Sequence, residues 1–138
     1  ADARGFLAAL ALVAEGVQMG TRFMATHECI AHPNVKEAII AALDTGTAIS
    51  GRKLGPTRGL KNELTAQLLE MEGHGASAEE LQSFIGSGRS RLGEVEGDLA
   101  NGEAYAGAVA GMITGIASAG EIVRSIIEES DAILAGLQ

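Results

Sequence analysis

Aromatic side chains are nearly missing from this sequence: 138 residues hold three phenylalanines, one tyrosine and no tryptophan. Proteins that grip single-stranded nucleic acid stack bases on aromatic platforms along a basic groove. Here the platforms are absent and the formal net charge is −8, so nucleic acid is excluded as the main partner. Cysteine is reduced to Cys29. One thiol cannot close an internal disulfide, which fits a reducing compartment and a cytoplasmic protein. No basic segment followed by an apolar run and a cleavage site opens the chain, so no secretory signal is read. Long hydrophobic runs are also lacking. The uncharged stretch 104–120 is at the bottom of the membrane-spanning range and is mostly alanine and glycine. No membrane partner is expected. There is no P-loop, no Cys-x-x-Cys pair, no full dinucleotide fingerprint and no Ser-His-Asp set with readable spacing.

What is present is glycine, 19 residues of it, and small aliphatic side chains. The length suits one domain, with a core built from Ala, Leu, Ile and Val. Charge is unevenly divided. Residues 1–61 carry seven bases and five acids, whereas residues 62–138 carry three bases and thirteen acids. The acidic half reads as a solvated helical surface.

Asp2 can cap a helix over residues 3–15, apolar nearly all round, which should be buried on most sides. Gly16 breaks it, and residues 17–19 read as a short strand ending in a Gly20-Thr21 turn into another helix. Asn34 with Glu37 forms a capping box for a helix over 35–43. A strand is expected at 47–50 and a turn at Gly55-Pro56. Leu60, Leu64, Leu68 and Met71 keep helical spacing through Gly73. Ser77 with Glu80 caps a helix to Ile85, a further helix is expected over 89–97, and Ser118 with Glu121 caps the last one. Gly107, Gly111 and Gly115 recur at four-residue spacing, which predicts a close-packed helix across the 104–116 run. The whole reads as α/β, mainly helical, with one strand whose partners lie elsewhere.

Gln18-Met19-Gly20-Thr21-Arg22 is the sharpest local feature. A glycine at a strand end lets a phosphate approach the backbone, the amides that follow open a helix, and its dipole attracts an anion. A plain turn explains the same residues. His27, Cys29 and His32 are zinc-type ligands in a His-x-Cys-x-x-His array, but only three lie close together and no metal is expected. Arg52, Lys53, Arg58 and Lys61 can meet an anion or form a solvated face; the face is preferred.

Residues 1–23 closely resemble one stretch of the nitronate monooxygenase (2-nitropropane dioxygenase) family, and FMN-dependent enoyl-acyl-carrier-protein reductases are similar there. The likeness continues through Ala25-Thr26-His27-Glu28, Ala31-His32 and Lys36. It returns at Arg58-Gly59-Leu60-Lys61-Asn62, Gly97-Asp98, Ala106-Gly107 and Ala110-Gly111. It implies the C-terminal portion of a (β/α)₈ barrel with an inserted helical lid domain, binding FMN at the C-terminal ends of the strands. Residues 1–30 would be the last helix–strand unit with the phosphate loop, 31–95 the lid, and 96–138 the helices returning to the barrel. Gln18, Met19, Gly20 and Thr21 match half of the FMN phosphate site; the other half, a Gly-Gly loop, would precede Ala1. Many relatives carry glutamine where this chain has Ala108. His27, His32 and His74 do not match the family's catalytic histidine, so no catalytic residue is assigned in this chain. The activity implied is oxidation of alkyl nitronates by dioxygen, with a homodimer as one expected assembly. Enoyl reduction is the second enzyme reading, and a non-catalytic helical oligomer or barrel remnant the alternative from another class.

Overall fold

A computed structural model describes residues 2–137. Helix α1 (Ala3–Ala11) opens the chain, and the Asp2 carboxylate accepts from the Gly5 amide at 2.8 Å as its cap. The helix stops four residues earlier than its apolar pattern predicts. Val13 N–H donates to Leu10 O and Ala14 N–H to Ala9 O, closing the helix in a Schellman-type turn with Val13 at φ 68°. That position ordinarily takes glycine, so the sequence carries no stop signal there. Residues 16–19 then form no strand, because among the described residues no segment lies alongside to exchange ladder hydrogen bonds with them.

Helix α2 (Thr21–Met24) is one turn long, and α3 (Pro33–Ala41) follows. Its cap is His32 rather than the expected Asn34–Glu37 box. The His32 ring nitrogen accepts from Asn34 N–H at 3.2 Å, and Pro33, with fixed φ and no N–H to satisfy, takes the first helical position. Asn34 instead donates its side-chain amide to Gly97 O. Lys36 of α3 is buried, and its Nζ donates to Thr26 O at 2.6 Å and Cys29 O at 2.7 Å. The ammonium thereby fixes the loop after α2 against α3.

Strands β1 (Thr47–Ser50) and β2 (Thr57–Leu60) pair antiparallel, Thr47 opposite Leu60 and Ser50 opposite Thr57. Leu60 therefore ends a strand instead of starting a helix. Helix α4 (Glu63–Gly73) begins three residues on, where the Asn62 side chain accepts from Thr65 N–H. Helices α5 (Ala78–Ile85) and α7 (Ala119–Ala135) carry both capping boxes that their sequences predict, at Ser77–Glu80 and Ser118–Glu121. Helix α6 (Arg89–Glu94) is shorter than expected.

The run 104–116 is not the helix its glycine spacing suggested. Leu60 N–H donates to Ala104 O and Ala106 N–H to Arg58 O, so residues 104–106 lie along the free edge of β2. Only a 3₁₀ turn, Ala108–Met112, follows. Gly111 is needed for close approach rather than helix pairing, since a Cβ there would meet the Leu43 carbonyl carbon and the Asp44 amide nitrogen, each at 3.0 Å.

Two apolar clusters result. In the first, Val35 and Ile39 of α3 pack with Leu60, Ala110 and Ile113. In the second, Leu64 and Leu68 of α4 meet Leu81 of α5. Each fully buried Leu, Ile or Val contributes about 1.5–3 kcal/mol. Helix α1, by contrast, packs chiefly on α7 among the described elements. Of its residues only Ala3 is buried, and Leu12 and Val13 beyond its end are exposed. The burial on most sides that its composition predicts is not provided by the described residues.

Candidate cofactor site

A cleft of about 320 Å³ opens between the first turn of α1, the 17–22 segment and the 3₁₀ turn. Asp2, Gly5 and Phe6 line it from α1, Gln18, Met19, Gly20 and Thr21 from the 17–22 segment, and Val109 from the 3₁₀ turn. All four residues singled out from the sequence are thus brought to one concave surface. The volume falls at the low end of small-molecule pockets, roughly 300–1,000 Å³.

The backbone here begins a helix, whose first amides have no partner within it. Among the described residues, the amides of Gly20, Thr21 and Arg22 donate to no backbone or side-chain acceptor. Gly20 faces open space, because a Cβ built on it would meet nothing within 4 Å. Three successive free N–H groups beside an open volume make a surface that a phosphate can accept from. The first turn of α1 opens on the same cleft and adds its partial positive charge. The Asp2 carboxylate opposes this, but its oxygen is engaged as the cap of α1. The residues fit an anionic phosphate of the FMN type on these grounds.

Thr21 is placed differently from a simple hydroxyl donor. It is 7% exposed, and its Oγ1 accepts from Gly107 N–H at 2.9 Å. Its neighbour Arg22, part of the same motif but not one of the four candidate site residues, donates from a guanidinium nitrogen to Gly115 O at 2.8 Å. Burial holds that guanidinium below its ordinary pKa. These contacts span 86 and 93 residues, so no local pattern announces them.

Other candidates are absorbed structurally. His32 caps α3, and His27 and His74 are exposed. Among the described residues no group of three His, Cys, Asp or Glu side chains is disposed to hold a metal. Of the basic cluster, Arg52 pairs with Glu72 at 2.9 Å, and Lys53 donates to the carbonyls of Gly75 and Ala76 past the end of α4. Arg58 donates to the Thr47 hydroxyl. Among the described residues no helix is long and apolar enough to cross a membrane.

The family model described as nitronate monooxygenase matches residues 1–129. The chain belongs to the nitronate monooxygenase family. A probable nitronate monooxygenase of Staphylococcus haemolyticus is 39% identical over 74 residues, 53% of this chain and 21% of the relative. One from Staphylococcus aureus strain Newman is 34% identical over 99 residues, covering 69% and 28%. Among solved structures, FabK from Thermotoga maritima superposes with a TM-score of 0.90 at 38% identity, over 99% of this chain and 43% of that one. The nitroalkane oxidase of Streptomyces ansochromogenes gives 0.73 at 26% identity, over 99% and 39%. This nitronate monooxygenase-family chain therefore spans less than half the length of the relatives it matches. Its fold is the expected one, part of a (β/α)₈ barrel protein, mostly helical and with a small sheet.

Proposed function

We propose that this chain is the C-terminal part of an FMN-dependent nitronate monooxygenase, an oxidoreductase that converts alkyl nitronates with dioxygen. The observation that supports the reading is a run of amides at Gly20, Thr21 and Arg22 that find no acceptor among the described residues, on a segment that lines the cleft. When bound, FMN supplies the redox chemistry, and the protein supplies orientation and exclusion of water. In this chain Gln18, Met19, Gly20 and Thr21 hold the phosphate end, principally through backbone N–H groups. Val109 borders the cleft. Residues 31–95 form the lid that shapes the substrate pocket, and residues 96–138 return over the barrel. The uncovered apolar residues of α1 pack against the remainder of the barrel.

Enoyl-acyl-carrier-protein reduction is kept as the second reading because of the likeness to FabK. One preparation separates the two. The full-length protein is purified, its flavin content is measured after gel filtration, and it is offered an alkyl nitronate under oxygen or an enoyl thioester with NAD(P)H. Retained FMN with oxygen uptake and nitrite release is the expected result. NAD(P)H oxidation dependent on the enoyl thioester would install the second reading, and a protein that retains no flavin would overturn both.

A further inference from the structure

Two side chains of the candidate phosphate loop, both on residues that line the cleft, hold another part of the chain. Thr21 Oγ1 accepts from Gly107 N–H at 2.9 Å, and Arg22 donates to Gly115 O at 2.8 Å. The same strip is tied once more just beyond α2, where Thr26 and Ala117 form a parallel bridge through His27 N–H, which donates to Ala117 O at 3.2 Å. Lys36 holds Thr26 O from the other side. The fastened segment, residues 107–117, bears Val109, which lines the cleft.

We propose that Thr21 and Arg22 are positioning residues: their side chains clamp the 107–117 segment, which borders the cofactor cleft through Val109, while their backbone amides, without an acceptor among the described residues, are left for the ligand. The proposal rests on the FMN reading above. The clamp joins two jobs in one pair of residues. An anion that orders the amides of residues 20–22 also fixes the side chains that hold this segment, and a fixed segment slows the anion's escape. Because binding linkage is reciprocal, cofactor affinity and the order of this segment must move together by the same factor. Thr21 carries the greater share, since its oxygen is buried and a valine there would strand the Gly107 N–H without an acceptor.

The test uses the full-length protein with Thr21→Val, Thr21→Ser, Arg22→Met and wild type. Amide exchange of residues 106–117 is followed by mass spectrometry with and without FMN, and FMN affinity is titrated in parallel. Wild type should show slower exchange in this segment when FMN is added. Thr21→Val should speed exchange there and weaken FMN binding, each by about tenfold, the loss expected for one stranded buried donor. Arg22→Met should move both in the same direction, and Thr21→Ser, which keeps the oxygen, should restore both. Weakened FMN binding in Thr21→Val with exchange at 106–117 unchanged would make Thr21 a direct ligand only and overturn the clamp. Faster exchange with FMN affinity unchanged would leave a purely structural tie and overturn it as well. A wild-type protein that binds no FMN would instead remove the cofactor reading on which the proposal rests, and the exchange data taken without FMN keep that failure distinct.

Discussion

Alanine in place of Gly93 poses two opposing effects on one residue. Gly93 sits inside α6, where alanine is favoured over glycine by about 1 kcal/mol on helix propensity alone. The structure argues that packing outweighs this. A Cβ at Gly93 would overlap the carbonyl of Glu103, lying 2.7 Å from its carbon and 2.9 Å from the Glu103 amide nitrogen. These are backbone atoms with little freedom to retreat. Glu103 N–H is bonded to Arg89 O at 2.9 Å, and Gly102 N–H to Asp98 O at 2.9 Å. Overpacking of this kind costs typically 1–3 kcal/mol, and displacing Glu103 also gives up a hydrogen bond of about 1 kcal/mol.

The upper end of the packing cost plus the lost bond, set against the propensity gain, leaves a net destabilisation of about 2–3 kcal/mol. For a protein of this size or somewhat larger that lowers the melting temperature by roughly 4–12 °C. Gly73→Ala is the matched control. It closes α4 with nothing within 4 Å of the added Cβ, so propensity acts alone and the melting temperature should stay level or rise. Thermal melts of the two variants beside wild type make the assay. A Gly93→Ala protein that melts at or above wild type would show that the 102–103 backbone yields, and the close approach would then explain nothing about why glycine stands there.

Val13→Gly should stabilise the protein. It relieves a β-branched residue at φ 68°, a strain of about 1–2 kcal/mol, against a glycine entropy cost of roughly 0.5–1 kcal/mol. The urea midpoint should rise slightly, and a fall would mean that Val13 makes contacts worth more than its strain. Stability should also fall in acid. The Glu80 and Glu121 carboxylates accept from the Ser77 and Ser118 amides, which hold both below their ordinary pKa of 4.5, and Asn101 does the same for Asp98. Groups whose pKa is depressed by folding contribute above the unfolded value and lose that contribution as pH falls through the folded one. The urea midpoint should therefore decline below about pH 4.5, and the Glu80→Gln, Glu121→Gln double variant should flatten the slope. An unchanged slope would place the acid sensitivity elsewhere.

What was legible in the sequence is what is decided within a few residues. Asp2, Ser77 and Ser118 cap where they stand because a side-chain oxygen and an amide three residues on are the whole of the chemistry. The same local logic failed at Asn34, since His32 and Pro33 offered a start two residues earlier. It failed over residues 104–116, where equal spacing hid three unlike duties. Gly107 donates to Thr21, Gly111 admits the backbone at Leu43 and Asp44, and Gly115 accepts from Arg22. A four-residue repeat is evidence of a helix only if the backbone is free to form one, and β2 had already taken Ala104 and Ala106. The expected strand at 17–19 is not formed for the opposite reason, that among the described residues no neighbour offers it a ladder. The four candidate site residues converge on one cleft, but the signal that drew attention to Thr21, a hydroxyl, turned out to serve the fold.

The pattern of long-range polar ties bears on whether the Gly20-Thr21 turn is only a turn. Among the described residues, side-chain hydrogen bonds that join residues more than 80 apart all run between 21–28 and 107–119: Gly107 N–H to Thr21, Arg22 to Gly115 O and Ala119 N–H to Glu28. A connection that merely reversed the chain would need no such anchoring, because a surface turn is stabilised by its own local bonds and tolerates motion. Fixing both sides of one short segment to a distant strip costs conformational entropy. The hydrogen bonds offset part of that cost themselves, and they hold the backbone of residues 20–22 in one conformation. Held groups that stay unsatisfied until a ligand arrives are what preorganised binding requires, and under the proposed FMN reading the residues Gly20 to Arg22 would supply them.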